Sequence, residues 1–364
     1  SDYEKEKFDK SVDDVREMQL KAEKLIVVMM PIMQMIVYLC ICAVLWFGGN
    51  KIVQGTMLTG ELISFISYVT QILMSLMMLS MLLLNLVLSR ASIGRIVEVL
   101  DEVPDIQNGA NALDTIPDGS IDFDDVYFSY KKGSENYILS DVNLHIKPGE
   151  TIGILGGTGS AKSTLVQLIP RLYDVSRGSV RVGGHDVREY DVEALRDAVA
   201  MVLQKNVLFS GTIRDNLRWG DKDATQEEIE AACRAAQAHD FIMSFPNGYD
   251  TDLGQGGVNV SGGQKQRLCI ARALLKHPKV VILDDSTSAV DTATDASIRR
   301  ALHEEFSHIT TLIIAQRVAS VMNADKIIIL DEGRIVDMGT HDELMARSAI
   351  YREIYTSQMK GAEA

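Results

Sequence analysis

The fold is decided by the stretch 151-TIGILGGTGSAKST-164. Its first five residues form a short apolar run of the kind found in buried strands, and a helical pattern follows from Leu165. A glycine-rich loop between a strand and a helix places backbone N–H groups and the positive helix end around phosphate oxygens. Lys162 is then expected to reach the β and γ oxygens, and Ser163 to offer its hydroxyl to Mg²⁺. This loop predicts nucleoside triphosphate binding through Gly156, Gly157, Thr158, Gly159, Ser160, Ala161, Lys162, Ser163 and Thr164.

One position of the loop departs from the phosphate-loop pattern. The residue before the lysine is normally glycine, and here it is Ala161. If that position needs a positive φ, the methyl group costs about 1 to 2 kcal/mol, whereas a helical φ would cost little. We expect triphosphate binding to survive either way.

A second apolar run ends in two carboxylates. Residues 280–283 read VVIL and are followed by Asp284 and Asp285. A buried strand ending in acids is the usual arrangement for holding Mg²⁺ opposite a phosphate loop. Asp284 is therefore predicted to be the acid on the magnesium side.

Short β-type runs alternate with helical stretches from residue 121 to about residue 359. Such alternation indicates a parallel sheet with crossover helices, and therefore an α/β P-loop NTPase domain. The strands predicted most clearly are 151–155, 179–182, 279–283, 311–314 and 326–330. Residues 101–120 carry prolines, glycines and Asn or Asp without sustained periodicity and are predicted to be a linker, and residues 360–364 a tail.

Two long apolar runs precede the linker. Residues 25–47 and 62–88 contain no Asp, Glu, Lys, Arg or His, and each is long enough to cross a bilayer. Residues 1–100 are therefore predicted to be a partial transmembrane domain, in which residues 1–24 form a charged cytosolic helix extension. The alternative is a pair of buried helices in a soluble domain, where uncharged runs of this length are rare.

The basic residues around these runs predict their orientation. Lys21 and Lys24 precede the first run, Arg90 and Arg95 follow the second, and Lys51 is the lone basic residue of the connection. Because basic residues favour the cytosolic side, both ends of the segment are predicted to face the cytosol.

Composition excludes some classes of function. The net charge of the 364 residues is −14, which repels phosphate backbones and argues against nucleic acid as a partner. The four cysteines have neither metal-ligand spacing nor the density of a disulfide framework, so a reduced setting is expected.

A further motif narrows the family. Residues 260–264 read VSGGQ and open a helix, and this run, together with the phosphate loop and Asp284, resembles the ABC transporter superfamily, specifically heterodimeric bacterial multidrug-type exporters. The resemblance implies that ATP and Mg²⁺ are bound, that Gln204 is the Q-loop residue and a magnesium ligand, and that Tyr130 stacks on adenine. It also implies that residues 288–291 form the D-loop, with Asp291 at its end. The signature residues, which contact ATP bound to a facing subunit in the family, are Ser261, Gly262, Gly263 and Gln264.

Two catalytic positions depart from the family. Asp285 stands where active members have glutamate, so its carboxylate is set back by one methylene from the attacking water. Gln316 stands where the family has a switch histidine, and an amide neither carries positive charge nor relays a proton. Retained activity is the alternative for Asp285, but with Gln316 we expect impaired hydrolysis. Gln255 stands where many relatives have glutamate, a departure to which the sequence assigns no role.

These departures predict a heterodimer. The partner is expected to be a second ABC half-transporter that holds the missing glutamate and histidine, while the intact signature here completes the partner's site. The resemblance places the protein in the cell membrane as a multi-pass chain with a cytoplasmic nucleotide-binding domain, exporting a small, amphipathic, drug-like molecule. A lipid or peptide exporter, a regulatory ATP-binding module and a soluble ABC ATPase are the alternatives, and the apolar runs oppose the last.

Overall fold

The computed structural model describes residues 2–285 and 290–362. The chain divides into two compact units, the first ending at Val103 and the second beginning at Pro104. Ser288 and Ala289 of the predicted D-loop, and residues 363–364 of the predicted tail, lie outside the described residues.

The first unit is a pair of long helices, α1 (Asp2–Val53) and α2 (Thr59–Leu100). A Cβ on Gly48 would clash with a methyl carbon of Leu62, so glycine allows the close contact between the two helices. The Glu61 carboxylate accepts a hydrogen bond of 2.9 Å from the Leu58 N–H and caps the start of α2.

Both helices contain segments that are long and apolar enough to cross a membrane. These are Pro31–Val53 and Thr59–Leu100, with mean hydropathies of 2.0 and 2.3. No residue in the most apolar 18-residue window of either segment is buried within this chain. An apolar surface of this size in water would be unfavourable, and lipid or other protein must cover it.

The second unit contains ten strands and nine helices within the described residues. The strands are β1 (Ile121–Phe128), β2 (Leu139–Ile146), β3 (Thr151–Leu155), β4 (Arg177–Val182), β5 (His185–Asp186), β6 (Val199–Val202), β7 (Val280–Asp284), β8 (Thr310–Ile314), β9 (Lys326–Asp331) and β10 (Arg334–Gly339). The helices are α3 (Lys162–Gln167), α4 (Val192–Ala198), α5 (Ile213–Arg218), α6 (Gln226–Ala235), α7 (His239–Met243), α8 (Gly262–Leu275), α9 (Thr292–Glu305), α10 (His341–Arg347) and α11 (Ala349–Ala362). Short 3₁₀ turns cover Gly248–Asp250, Gln255–Gly257 and Val318–Ser320.

The strands form two sheets. The larger has the order β10-β9-β3-β8-β7-β6, and it is parallel except for β10 at its edge. This is the predicted parallel sheet with crossover helices. The smaller sheet, β2-β1-β4-β5, is antiparallel and was not anticipated from the sequence.

The core lies on both faces of the larger sheet. Successive side chains of β7 alternate: Val280 and Ile282 pack with the antiparallel sheet, and Val281 and Leu283 pack with the helices of the opposite face. All five residues of β7 are buried. This explains why the sequence of the strand is almost continuously apolar.

The segment of the second unit that precedes β1 has little regular structure but packs on the rest of that unit. The Leu113 N–H donates to the Glu189 carbonyl at 2.9 Å, and the Asp191 N–H donates to the Leu113 carbonyl at 2.8 Å. Ile116 is buried, and the Thr310 hydroxyl donates to the Gly119 carbonyl at 2.7 Å. Residues 113–119 are therefore fixed by contacts with residues far away in the sequence.

Candidate functional site

The strand order places the phosphate loop and three other predicted site residues along one edge of the larger sheet. Four adjacent parallel strands, in the order β3, β8, β7 and β6, end at this edge. The phosphate loop follows β3, Gln316 follows β8, Asp284 ends β7, and Gln204 follows β6. Ligands of open α/β sheets bind at the carboxyl ends of the strands, and these residues occupy that position.

The phosphate loop is folded around the Lys162 ammonium. Its Nζ donates to the carbonyls of Gly156 and Gly157 at 2.9 and 2.8 Å. Burial lowers the pKa of Lys162, and the nearby carboxylates of Asp284 and Asp285 oppose that change. The ammonium therefore lies at the loop and near two acids, where it could neutralise phosphate oxygens.

Ala161 adopts the left-handed conformation, with φ +72° and ψ +22° at the N-cap of α3. The position therefore requires a positive φ, which glycine adopts freely and alanine does not. The methyl group costs about 1 to 2 kcal/mol of backbone strain there.

Asp284 and Ser163 form the expected magnesium side of the site. The Asp284 side chain is buried, and burial raises its pKa, to which the neighbouring Asp285 adds. A hydrogen bond with Ser163 and the charge of Lys162 act in the opposite direction. One carboxylate beside one hydroxyl suits Mg²⁺, which takes few protein oxygens and completes its shell with water and phosphate. Among the described residues, no group of three His, Cys, Asp or Glu side chains could hold a metal ion on its own.

Asp285 brings together the two other predicted residues. Its Oδ2 accepts hydrogen bonds from Gln316 Nε2 at 2.6 Å and from Gln204 Nε2 at 3.2 Å. The Asp285 N–H donates to the Ile314 carbonyl at 3.0 Å, which continues the pairing of β7 with β8. One carboxylate oxygen is thus shared by two neutral amide donors, and neither amide supplies a positive charge or a transferable proton.

Tyr130 lies beside the phosphate loop. Its hydroxyl is 3.1 Å from the Thr164 hydroxyl, and its ring packs edge-on against Phe128 and Tyr173 at centroid distances of 4.9 and 5.0 Å. Half of the Tyr130 surface is exposed. The exposed ring is held at a defined angle and offers a stacking surface for a flat base. Sequence reasoning missed Tyr173, because only the folded chain brings it next to Tyr130.

The signature residues begin helix α8. Ser261 is the N-cap, and its hydroxyl accepts from the Gln264 N–H at 3.3 Å while the Gln264 side chain accepts from the Ser261 N–H at 2.8 Å. Ser261 and Gly262 are exposed. The free end of a 14-residue helix, with exposed N–H groups and a hydroxyl, suits an anionic oxygen that comes from outside the chain.

Asp291 caps helix α9. Its carboxylate accepts from the Thr294 N–H at 3.0 Å, and backbone N–H donors lower the pKa of Asp291. Asp291, the last residue of the predicted D-loop, therefore also caps a helix.

Comparison with known proteins agrees with this geometry. A family model described as ABC transporter matches residues 139–288, and one described as ABC transporter transmembrane region matches residues 1–76. The uncharacterized ABC transporter ATP-binding protein YfiB of Bacillus subtilis is 41% identical over 364 residues, which are 100% of this chain and 63% of YfiB. The ATP-dependent lipid A-core flippase of Desulfotalea psychrophila is 37% identical over 358 residues, 98% of this chain and 62% of the flippase.

A solved structure has the same fold. It is a bacterial Atm1-family ABC exporter with ATP bound, with a TM-score of 0.84 and 32% identity, covering 90% of this chain and 57% of that chain. The chain thus spans about three fifths of the length of the relatives it matches. Since the two family models together match more than half of the chain, it belongs to the ABC transporter superfamily and has the ABC exporter fold, transmembrane helices followed by a P-loop nucleotide-binding domain.

Proposed function

We propose that the chain is a subunit of an ATP-driven exporter in the cell membrane, with its nucleotide-binding domain in the cytosol. Its substrate is a small amphipathic molecule of the drug-like kind. Three observations support the assignment as an exporter subunit: the exporter fold, the phosphate loop at the sheet edge, and the two long apolar helices whose surface this chain does not bury.

The chain's own site is proposed to bind ATP with Mg²⁺. Lys162 would neutralise phosphate oxygens, Ser163 and Asp284 would hold the metal together with Gln204, and Tyr130 would stack on adenine. When bound, Mg²⁺ neutralises the negative charge that develops on the phosphate oxygens during transfer. The remaining loop residues supply backbone N–H groups that fix the triphosphate.

The proposal that this site hydrolyses ATP slowly depends on the hydrogen bonds between the Asp285 carboxylate and its two amide partners. A base that activates water must reach the proton it removes, and the aspartate side chain is one methylene shorter than glutamate. The Asp285 Oδ2 is also held by Gln204 and Gln316. A displacement of about 1 Å is enough to cost roughly 100-fold in rate, so this site is proposed to retain ATP and hydrolyse it slowly.

The signature motif is proposed to serve a different subunit. In this superfamily two nucleotide-binding domains face each other, and each ATP lies between the phosphate loop of one and the signature of the other. Ser261 and the exposed start of α8 have the form that such a contact needs. The partner is a half-transporter with glutamate and histidine at the positions of Asp285 and Gln316, and ATP turnover occurs mainly there.

Two substitutions test this division of labour in the complex purified with its partner. Ser261→Ala should abolish most ATP turnover, because it removes a contact with ATP in the partner's site. Asp285→Asn should change turnover little, because the site it alters is already slow. The reverse pattern, or rapid hydrolysis by this chain purified without any second subunit, would overturn the assignment.

A lipid is the second candidate substrate. It is favoured by the 37% identity with a protein named as a lipid A-core flippase. Substrate-stimulated ATPase activity of the reconstituted complex, measured with amphipathic drugs and with lipids in parallel, distinguishes the two. A complex whose turnover responds to neither would point to a regulatory ATP-binding module.

A further inference from the structure

Gln358, near the end of helix α11, holds both sides of the loop that carries Gln316. Its Nε2 donates to the Gln316 carbonyl at 2.7 Å, and its Oε1 accepts from the Val318 N–H at 2.8 Å. One side-chain amide therefore closes a ring with two backbone groups that lie two residues apart. We infer that Gln358 is a positioning residue, which fixes the loop 315–318 so that the Gln316 side chain faces the nucleotide.

The rest of α11 explains why Gln358 reaches this loop. Tyr351, Ile354, Tyr355 and Gln358 have the spacing i, i+3, i+4 and i+7, which places them on one helical face. Tyr351 is fully buried, and its hydroxyl is 2.7 Å from His341 Nδ1. Ile354 and Tyr355 are partly buried against the same core. The helix is thus anchored over about one turn before Gln358 contacts the loop.

The loop needs such a support because β8 ends before it. Strand β8 ends at Ile314, and the Ala315 N–H donates to the Ile154 carbonyl at 3.3 Å. Gln316 and Arg317, which follow, are exposed and lie in a bend. The Gln358 amide therefore bonds the backbone at the point where sheet hydrogen bonding stops.

A chain of hydrogen bonds then leads from α11 to the sheet edge. Gln358 holds the Gln316 backbone, and the Gln316 side chain donates to Asp285 Oδ2 at 2.6 Å. A rotation of the Gln316 backbone would move its amide away from this oxygen. Among the hydrogen bonds of the described residues, Gln358 is connected to Asp285 through Gln316, so it acts through Gln316.

This inference rests on the proposed function and adds one step to it, that the Gln316 amide donates to the γ-phosphate of bound ATP. The γ-phosphate is present in ATP and absent from ADP. A residue that only stabilises the fold would change the affinity for both nucleotides, or for neither. A residue that positions Gln316 would weaken ATP binding and leave ADP binding unchanged.

The test measures binding of Mg-ATP and Mg-ADP to the full chain in detergent, by titration in the cold. Gln358→Leu removes both hydrogen bonds and is expected to weaken ATP binding about fivefold with ADP binding unchanged. Gln358→Glu keeps the acceptor for Val318 but loses the donor for Gln316, and should give a similar loss of ATP binding. If the leucine variant does not fold, the glutamate variant decides.

Ser357→Leu, on the adjacent exposed position of α11, is the matched control and should match the wild type in both affinities.

A double-mutant cycle with Gln316→Ala separates the two possible failures. If Gln358 acts through Gln316, then Gln358→Leu should have no further effect on ATP binding once Gln316 is alanine. Should Gln316→Ala weaken ATP binding while both Gln358 variants behave as wild type, the positioning role is wrong and the proposed function stands. Should Gln316→Ala leave ATP binding unchanged, the γ-phosphate role of Gln316 is wrong, and the positioning role is overturned with it.

Discussion

Gln316 Nε2 lies 2.6 Å from Asp285 Oδ2, so the second residue after β8 and the first residue after β7 share one hydrogen bond. The contact arises because β7 and β8 are adjacent and parallel, with Asp284 in register with Ile314. The two positions predicted to depart from the family pattern are therefore neighbours in space. Their effects on hydrolysis should be tested together.

Asp285→Glu combined with Gln316→His should accelerate hydrolysis in this chain's own site. The longer carboxylate reaches farther toward the attacking water, and the imidazole supplies a charge that the amide lacks. In a complex that also carries Ser261→Ala to silence the partner's site, we expect a gain of about 10- to 100-fold in ATP turnover.

The control for this experiment is Ser261→Ala combined with Asp285→Asn, which should remain slow. If Ser261→Ala alone already leaves a rapid, Asp285-dependent turnover, the chain's own site is active and the proposal is wrong.

Ala161→Gly should stabilise the chain. Relief of strain at φ +72° raises the free energy of unfolding by about 1 to 2 kcal/mol. The greater freedom of glycine in the unfolded chain lowers that free energy by roughly 0.5 to 1 kcal/mol. Urea unfolding followed by Trp219 fluorescence should show a net gain of about 0.5 to 1 kcal/mol, with ATP affinity unchanged or higher. Ala231→Gly, at an exposed position within α6, should instead destabilise by about 0.5 to 1 kcal/mol. Equal losses for both variants would contradict the strain at Ala161.

Asp284→Asn should raise the thermal midpoint at pH 7 by a few degrees when nucleotide is absent. Burial raises the pKa of Asp284 in the folded chain, so its contribution to stability is fully present below the unfolded pKa of about 3.9 and is lost as pH rises through the folded pKa. The gain from the asparagine should therefore shrink toward zero near pH 4. The same variant should lose the Mg²⁺-dependent part of the stabilisation by ATP.

Asp186→Asn is the control with the opposite sign. Burial acts to raise the pKa of Asp186, but hydrogen bonds from Arg188 outweigh it and hold that pKa below its usual value. This carboxylate stabilises the fold above its unfolded pKa, and the stability is lost as pH falls through the folded pKa. Asp186→Asn should therefore lower the thermal midpoint at pH 7. A higher midpoint for this variant would contradict the relation between pKa shift and stability that is used for both aspartates.

Tyr130→Ala should weaken ATP binding by about 10- to 100-fold, since stacking of a base on an aromatic ring is worth roughly 1 to 3 kcal/mol. Tyr130→Phe removes only the contact with the Thr164 hydroxyl and should stay within about threefold of wild type. Fluorescence titration with ATP measures both. Tyr137→Ala, which removes a partly exposed tyrosine packed on Tyr127, should change nothing. An equal loss for the phenylalanine variant would assign the effect to the hydroxyl.

Some elements were predictable from local pattern alone. The predicted strand at residues 151–155 has the bounds that the structure gives β3, and the predicted strand at 279–283 differs from β7 by one residue at each end. Both are buried on two faces, so their apolar runs are short, continuous and bounded by turn residues. The antiparallel sheet was missed because β1 and β2 each contain an aspartate with positive φ, Asp125 and Asp141, which breaks the alternation.

Other features depend on contacts that a local pattern does not contain. Leu113 and Gly119 look like linker residues, yet each is held by a backbone group or side chain far along the chain. The motifs named Asp285, Gln204 and Gln316 separately, but their meeting at one oxygen depends on the order of β6, β7 and β8. The contact of Gln358 with this loop could not be predicted, because a single glutamine on a terminal helix belongs to no sequence motif.

The fully buried strand β7 separates the stability of the domain from the chemistry at its end. Its five residues are enclosed by the core, while Asp285 lies one step beyond the strand. The side chain at position 285 can therefore change without altering the packing of the strand that carries it. Sequence drift at this position would alter what the sheet edge can do and leave the sheet itself intact.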